Sequence, residues 1–125
     1  MKEVLVVAEK KDVRNSISDA AMQMILGLLR EVYHGEVTLV VQDGCLIQVE
    51  RSEKLRPAEQ ERYASYQAAV RNADYTPVSR KIQQEFAGLQ FGHIIIVIKK
   101  GHIIQVERAE KHRFAEAFGF DGGGI

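Results

Sequence analysis

Gln48, Glu50, Arg51, Lys54 and Arg56 recur in the same order and spacing as Gln105, Glu107, Arg108, Lys111 and Arg113, a constant offset of 57 residues. These are residue types that can do chemistry. If the two copies converge about a twofold axis, Glu50 and Glu107 form a carboxylate pair suited to acid/base work or to holding a cation. The Arg/Lys sets, joined by His112, suit phosphate, sulfate or a nucleic-acid backbone, because guanidinium groups match oxyanions. Glu50, Glu53, Glu107 and Glu110 are interleaved with those bases and cancel much of the local field, so the plainest reading of both sets is a solvated ladder of weak ion pairs. Other signals are poorer. His34, His93, His102 and His112 lack ligand-like spacing, and Cys45 aligns with His102, which would make a metal site only if the two met across a symmetry axis. Met22 and Met24 read as core or interface rather than cofactor ligands. Asp121 to Gly124 lacks the Gly-Lys-Ser/Thr ending of a phosphate loop, and no nucleophile is paired with a base. The expectation is no catalytic, metal or cofactor residue, with the repeated polar residues as candidate binding positions.

The elements that must carry these residues are themselves repeated. The offset superimposes Gly35 on Gly92, Val40 on Val97 and Gly44 on Gly101, and it continues upstream as pattern, setting Ala21, Ile25, Leu29 and Val32 on Val78, Ile82, Phe86 and Leu89. Spacings of four, four and three trace one stripe along a helix. Ser16 with Asp19 resembles a capping box, and Thr76-Pro77 places a hydroxyl at N-cap and proline at the first helical position. Gly35 and Gly92 stand where left-handed C-terminal caps are wanted. Val37–Gln42, Asp43-Gly44 and Cys45–Arg51 then read as a tight hairpin, and Lys100-Gly101 makes the equivalent turn. Each repeat is helix, strand, turn, strand. Two of them predict an α+β fold with a pseudo-twofold, four-stranded antiparallel sheet and helices packed on it, plus an edge strand at Glu3–Val7.

One domain spans 1–125: repeat one over about 16–56, a connecting helix over about 57–72 opened by Pro57 with Tyr63, Tyr66 and Val70 at helical spacing, repeat two over about 73–114, and a mobile tail at 115–125. A chain of 125 residues with 46% hydrophobic and 27% charged residues buries one ordinary core. With 17 basic and 17 acidic residues it has no global field to gather nucleic acid or anionic membrane. A lone cysteine, no signal-peptide core and no apolar run near the roughly 20 residues of a membrane helix point to a soluble cytoplasmic protein. Taking Asp43-Gly44 as the turn, strict alternation puts Val37, Leu39, Val41, Leu46, Gln48 and Glu50 on one face, with Thr38, Val40, Ile47, Val49 and Arg51 on the other. Ile94 to Ile98 is apolar on both sides, which predicts cover on both and hence a homo-oligomer using the open sheet face.

The block FGHIIIVIKKGHIIQVERAEKHRF after an amphipathic helix resembles the small bacterial YezD/OscA-like family, a domain of unknown function. Phe91-Gly92, Gly101, Gln105, Glu107, Glu110, Lys111, Arg113 and Phe114 carry the likeness. Gly35, Gly44, Gln48, Glu50, Glu53, Lys54 and Arg56 carry it in the first copy, where His34 replaces the aromatic and Pro57 the final Phe. The resemblance implies a setting in sulfur-source utilisation and no particular chemistry. The duplication reads as a fused dimer. The function expected is a non-enzymatic binding or interaction protein, regulatory or accessory in sulfur metabolism, with a protein or small oxyanion as partner. The alternative is a nucleic-acid-binding regulator using the duplicated Arg/Lys clusters, and an enzyme using Glu50 and Glu107 is a third class.

Overall fold

The structure is a computed structural model, and it describes residues 2–6, 16–54 and 74–112. The connecting helix expected at 57–72, the C-terminal tail, Arg56, Arg113 and Phe114 lie outside the described residues. In chain order the elements are β1 (Lys2–Val6), α1 (Asp19–Glu31), β2 (Gly35–Gln42), β3 (Cys45–Glu53), α2 (Thr76–Phe86), β4 (Gly92–Lys99) and β5 (His102–Glu110). The strands form one antiparallel sheet ordered β1-β3-β2-β4-β5.

The expected repeat is visible in the register. At the centre of the sheet β2 meets β4 with Thr38 opposite Ile95. Those two residues are each other's equivalents under the 57-residue offset, so a pseudo-twofold axis passes between them. Further symmetric contacts follow. The turn amide of Gly44 donates to the Gln90 carbonyl (3.1 Å), and that of Gly101 to the Tyr33 carbonyl (2.8 Å), so each hairpin tip is anchored to the other repeat. Asp43 and Gly44 (φ 53° and 72°), like Lys100 and Gly101 (50° and 76°), have the paired positive φ of the tight turn whose twist suits a hairpin.

Both helices cover the same sheet face. Ile25, Leu29 and Val32 of the first stripe and Ile82, Phe86 and Leu89 of the second are buried with Val37, Leu39, Ile94 and Ile96. The expected face assignment fails at one place in each hairpin. Val40 is opposite Gln48 but Val41 is opposite Leu46, leaving Ile47 as an extra residue, and Ile104 is its counterpart between Val97 and Ile98. A bulge reverses the alternation beyond it. Leu46 and Val49 therefore both reach the core, while Gln48 and Glu50 pass to the open face with Thr38 and Val40.

The caps also differ from expectation. Ser18, rather than Ser16, caps α1 by accepting from the Ala21 amide (3.2 Å). Tyr75 holds the N-cap position of α2, and Asp74 accepts from the Thr76 amide (3.0 Å) and hydroxyl (2.6 Å). Gly35 and Gly92 are not helix caps but the first residues of β2 and β4. A Cβ there would stand 2.0 Å from the carbonyl oxygen of Ser52 or Ala109, so close strand approach demands glycine.

Candidate functional site

The repeated polar residues separate by role once the bulge is placed. Arg51 extends on the helix-covered face and pairs with Glu31 at the end of α1 (2.5 Å) and with Glu3 of β1 (3.2 Å). Arg108 bonds the carbonyls of Glu85 and Ala87 at the end of α2 (both 3.0 Å) and pairs with Glu110 (2.9 Å). A cation at a helix C-terminus meets orphan carbonyls and the negative end of the dipole. Both arginines are thus fasteners between strand and helix. Glu53 and Glu110 sit opposite Gly35 and Gly92 in the register, and the ladder continues with the Lys54 amide on the His34 carbonyl (2.9 Å) and the Lys111 amide on that of Phe91 (2.8 Å).

Gln48, Glu50, Gln105 and Glu107 do share the open face, but they do not converge. β2 and β4 lie between β3 and β5, so Glu50 and Glu107 are three strand spacings, roughly 14 Å, apart. Glu50 accepts from Gln48 (3.0 Å) and lies 3.7 Å from Lys2, and Glu107 accepts from Gln105. Glu50 and Glu107 therefore do not form the carboxylate pair that acid/base work would ask of them. Of the described members of the two basic clusters, Lys54 lies at the Gly35 end of the sheet and Lys111 at the Gly92 end, and Arg51 and Arg108 are turned to the helices. Cys45 and His102 likewise lie at opposite ends of the sheet, which removes a metal shared between them. Among the described residues no group of three or more His, Cys, Asp or Glu could hold a metal ion.

What the structure does bring together is a corner where the β4–β5 turn meets the end of β3. His34, Glu36, Ser52, Lys54, Val97 and Lys99 line a recess of about 540 Å³. The offset maps this corner onto a second one, lined by Phe91, His93, Lys111, Val40 and Gln42, whose volume is about 70 Å³. The backbone is the same at both, with Gly35 in one and Gly92 in the other. The difference lies in the side chains, His34 for Phe91, Glu36 for His93 and Lys99 for Gln42. Among the described residues Lys54, Lys99 and Glu36 enter no ion pair, and neither does Lys111 of the second corner, so the first corner gathers two such ammonium groups and the second one. His34 is held in place, its Nδ1 accepting from the Lys100 amide (3.3 Å) and its ring edge-on to Tyr33. Sequence reading missed His34, Glu36 and Lys99 as site residues. The signal was present in the positions where the two copies disagree.

A second recess, about 560 Å³, runs between α1 and α2. Arg30, Asp74, Tyr75, Thr76, Ser79 and Gln83 of its lining are committed to structure, while Gln23, Arg80 and Gln84 face it without a hydrogen bond or ion pair among the described residues. The Arg30 guanidinium lies over the Tyr75 ring (4.7 Å), and Gln83 bonds both the amide and the carbonyl of Ile17 (3.0 and 2.8 Å). Asp74, holding Thr76, has its carboxyl pulled below the ordinary range by the hydroxyl and amide hydrogen bonds it accepts.

Frame and corner together define a duplicated helix–hairpin protein whose two halves share one sheet and differ at one recess. Residues 21–56 and 78–114 match, separately, the family described as Uncharacterized small protein (DUF2292), and the two matches span more than half of the chain, which belongs to that family. No match was found among curated proteins or among solved structures. No helix among the described residues is long and apolar enough to cross a membrane.

Proposed function

We propose that this is a small non-catalytic binding protein whose ligand seat is the His34/Lys54/Lys99 corner and whose ligand is a small anion. The observation that carries this is the internal comparison: one frame, used twice, leaves a recess of about 70 Å³ in one copy and about 540 Å³ in the other, with two unpaired ammonium groups at the larger. The larger volume is in the range of small-molecule sites. Glu36 opposes a second negative charge, so a singly charged anion with a short apolar body against Val97 and Ile104 fits best. Two exposed lysine contacts at roughly 0.5–1 kcal/mol each, with modest apolar burial, support a Kd on the order of 1–10 mM. Amide chemical-shift titration with small carboxylates, phosphate and sulfate tests it. The expected result is a saturable response at His34, Lys54 and Lys99 that Lys54→Ala/Lys99→Ala removes and Lys111→Ala leaves intact. No saturation, or equal sensitivity to Lys111→Ala, defeats the reading.

Arg51 and Arg108 are engaged with the helix ends, which weighs against the duplicated clusters as a nucleic-acid surface. The YezD/OscA likeness supplies the sulfur-source setting as part of this proposal. Self-association through the open sheet face belongs to it too, supported by the exposure of Val4 and Val6 (46% and 84%). Sedimentation velocity across a concentration series should show a dimer that Val6→Glu weakens.

A further inference from the structure

We propose that the outer edge of β5 is an acceptor for an extended strand of a partner protein, and that the strand it takes has the side-chain pattern of β1. This is independent of the corner recess. β3 and β5 are equivalents and carry the same Gln-Val-Glu-Arg run, Gln48–Arg51 and Gln105–Arg108. On the β3 edge that run is occupied: β1 pairs with it antiparallel, Lys2 opposite Ser52 through Val6 opposite Gln48. Among the described residues no strand pairs with the outer side of β5. Exposure follows the same division, since Val49 under β1 is fully buried while its equivalent Val106 is half-exposed and Gln105, Glu107 and Arg108 are exposed.

The β1–β3 pairing shows what such an edge selects. Lys2 reaches Glu50 (3.7 Å), Glu3 reaches Arg51 (3.2 Å), and Leu5, opposite Val49, packs against the core. Transferred by the offset, β5 presents Glu107 to a cation, Arg108 to a carboxylate and Val106 to an aliphatic side chain. Arg108 already holds the end of α2 through Nη1 and Glu110 through Nη2, so the incoming carboxylate takes the place of Glu110, just as Arg51 gives Nη1 to the helix end and Nη2 to Glu3 of the added strand. The partner segment is therefore cation, carboxylate, β-branched, leucine-like, β-branched, running antiparallel to β5. Main-chain bonds supply the affinity in strand addition and side-chain pairs the choice. The charges on β5 also guard the edge, because an unmatched strand would bury them unpaired.

The test uses the full-length chain and the acetylated, amidated peptide Lys-Glu-Val-Leu-Val, with amide chemical shifts and hydrogen exchange as readouts. The expected result is saturable binding, Kd on the order of 1 mM, with slowed exchange confined to Ile103–Ala109. A peptide N-methylated at alternate residues, which cannot complete the ladder, and one with Glu replaced by Lys, which faces Arg108 with like charge, should each bind at least about tenfold more weakly. Three results overturn the proposal: no binding at several times that concentration, peptide effects confined to β1 and β3, or β5 edge amides already protected in the free chain, which would mean that the chain itself or a second copy fills the edge.

Discussion

At residue scale the duplicated motif divides into positions the fold needs and positions it tolerates. Gly35 and Gly92 belong to the first kind, because a methyl group would stand 2.0 Å from a carbonyl of the paired strand. Gly92→Ala should cost about 2 kcal/mol or more, the scale of an overpacked site, read from urea unfolding, with Gly35→Ala behaving alike. Arg108 is also of that kind. Arg108→Ala removes two bonds to the end of α2 and should cost about 1–2 kcal/mol. Glu107→Gln, on the open face of an edge strand, should stay within about 0.5 kcal/mol of the parent. If the glutamate change proved the more costly of the two, the structural assignment of the arginine would be wrong. Sequence reading found these residues as a set but could not sort them, since identical polar residues on a strand look alike until the face each occupies is known.

At element scale the hairpins and helices were legible because their signals are local: a turn dipeptide between apolar runs and a stripe at helical spacing. The face assignment was not, because a bulge is decided by which residue pairs across the ladder. In Leu46-Ile47-Gln48-Val49 the two core residues are three apart, a spacing that strict alternation cannot produce, and Ile103 and Val106 repeat it. That repeated spacing of three was the available clue. The start of α2 yields a pH prediction. The hydrogen bonds from Thr76 lower the Asp74 carboxyl, so its folded value lies below the unfolded one. Such a group contributes stability above the unfolded carboxylate's ordinary pKa of about 4, and that contribution is lost as pH falls from there through the folded value. A carboxyl carbon titration should place Asp74 below an unfolded reference peptide, with the Thr76 amide following the same curve. Thr76→Val should move the midpoint back up, and an unchanged midpoint would remove the hydroxyl as the cause.

At the scale of the molecule the two repeats share a single core and cannot be separated without opening the centre of the sheet. The pseudo-twofold axis passes through the β2–β4 pair, each hairpin tip bonds the other repeat, and Leu39 and Ile96 of the two central strands are both fully buried under the helices. A lone hairpin is marginal, and here the inner strand of each is paired to that of the other under helices from both repeats, so each half completes the core of its twin. Unfolding should therefore be one cooperative transition rather than two. Leu39→Ala in one repeat and Ile96→Ala in the other should each cost about 3 kcal/mol and lower the protection of slow-exchanging amides in both repeats by the same amount. If Ile96→Ala loosened only β4, β5 and α2 while β2 and α1 kept their protection, the halves would be independent domains in contact. The shared core, and the reading of the corner recess as a diverged copy of its twin on one continuous frame, would then fail together.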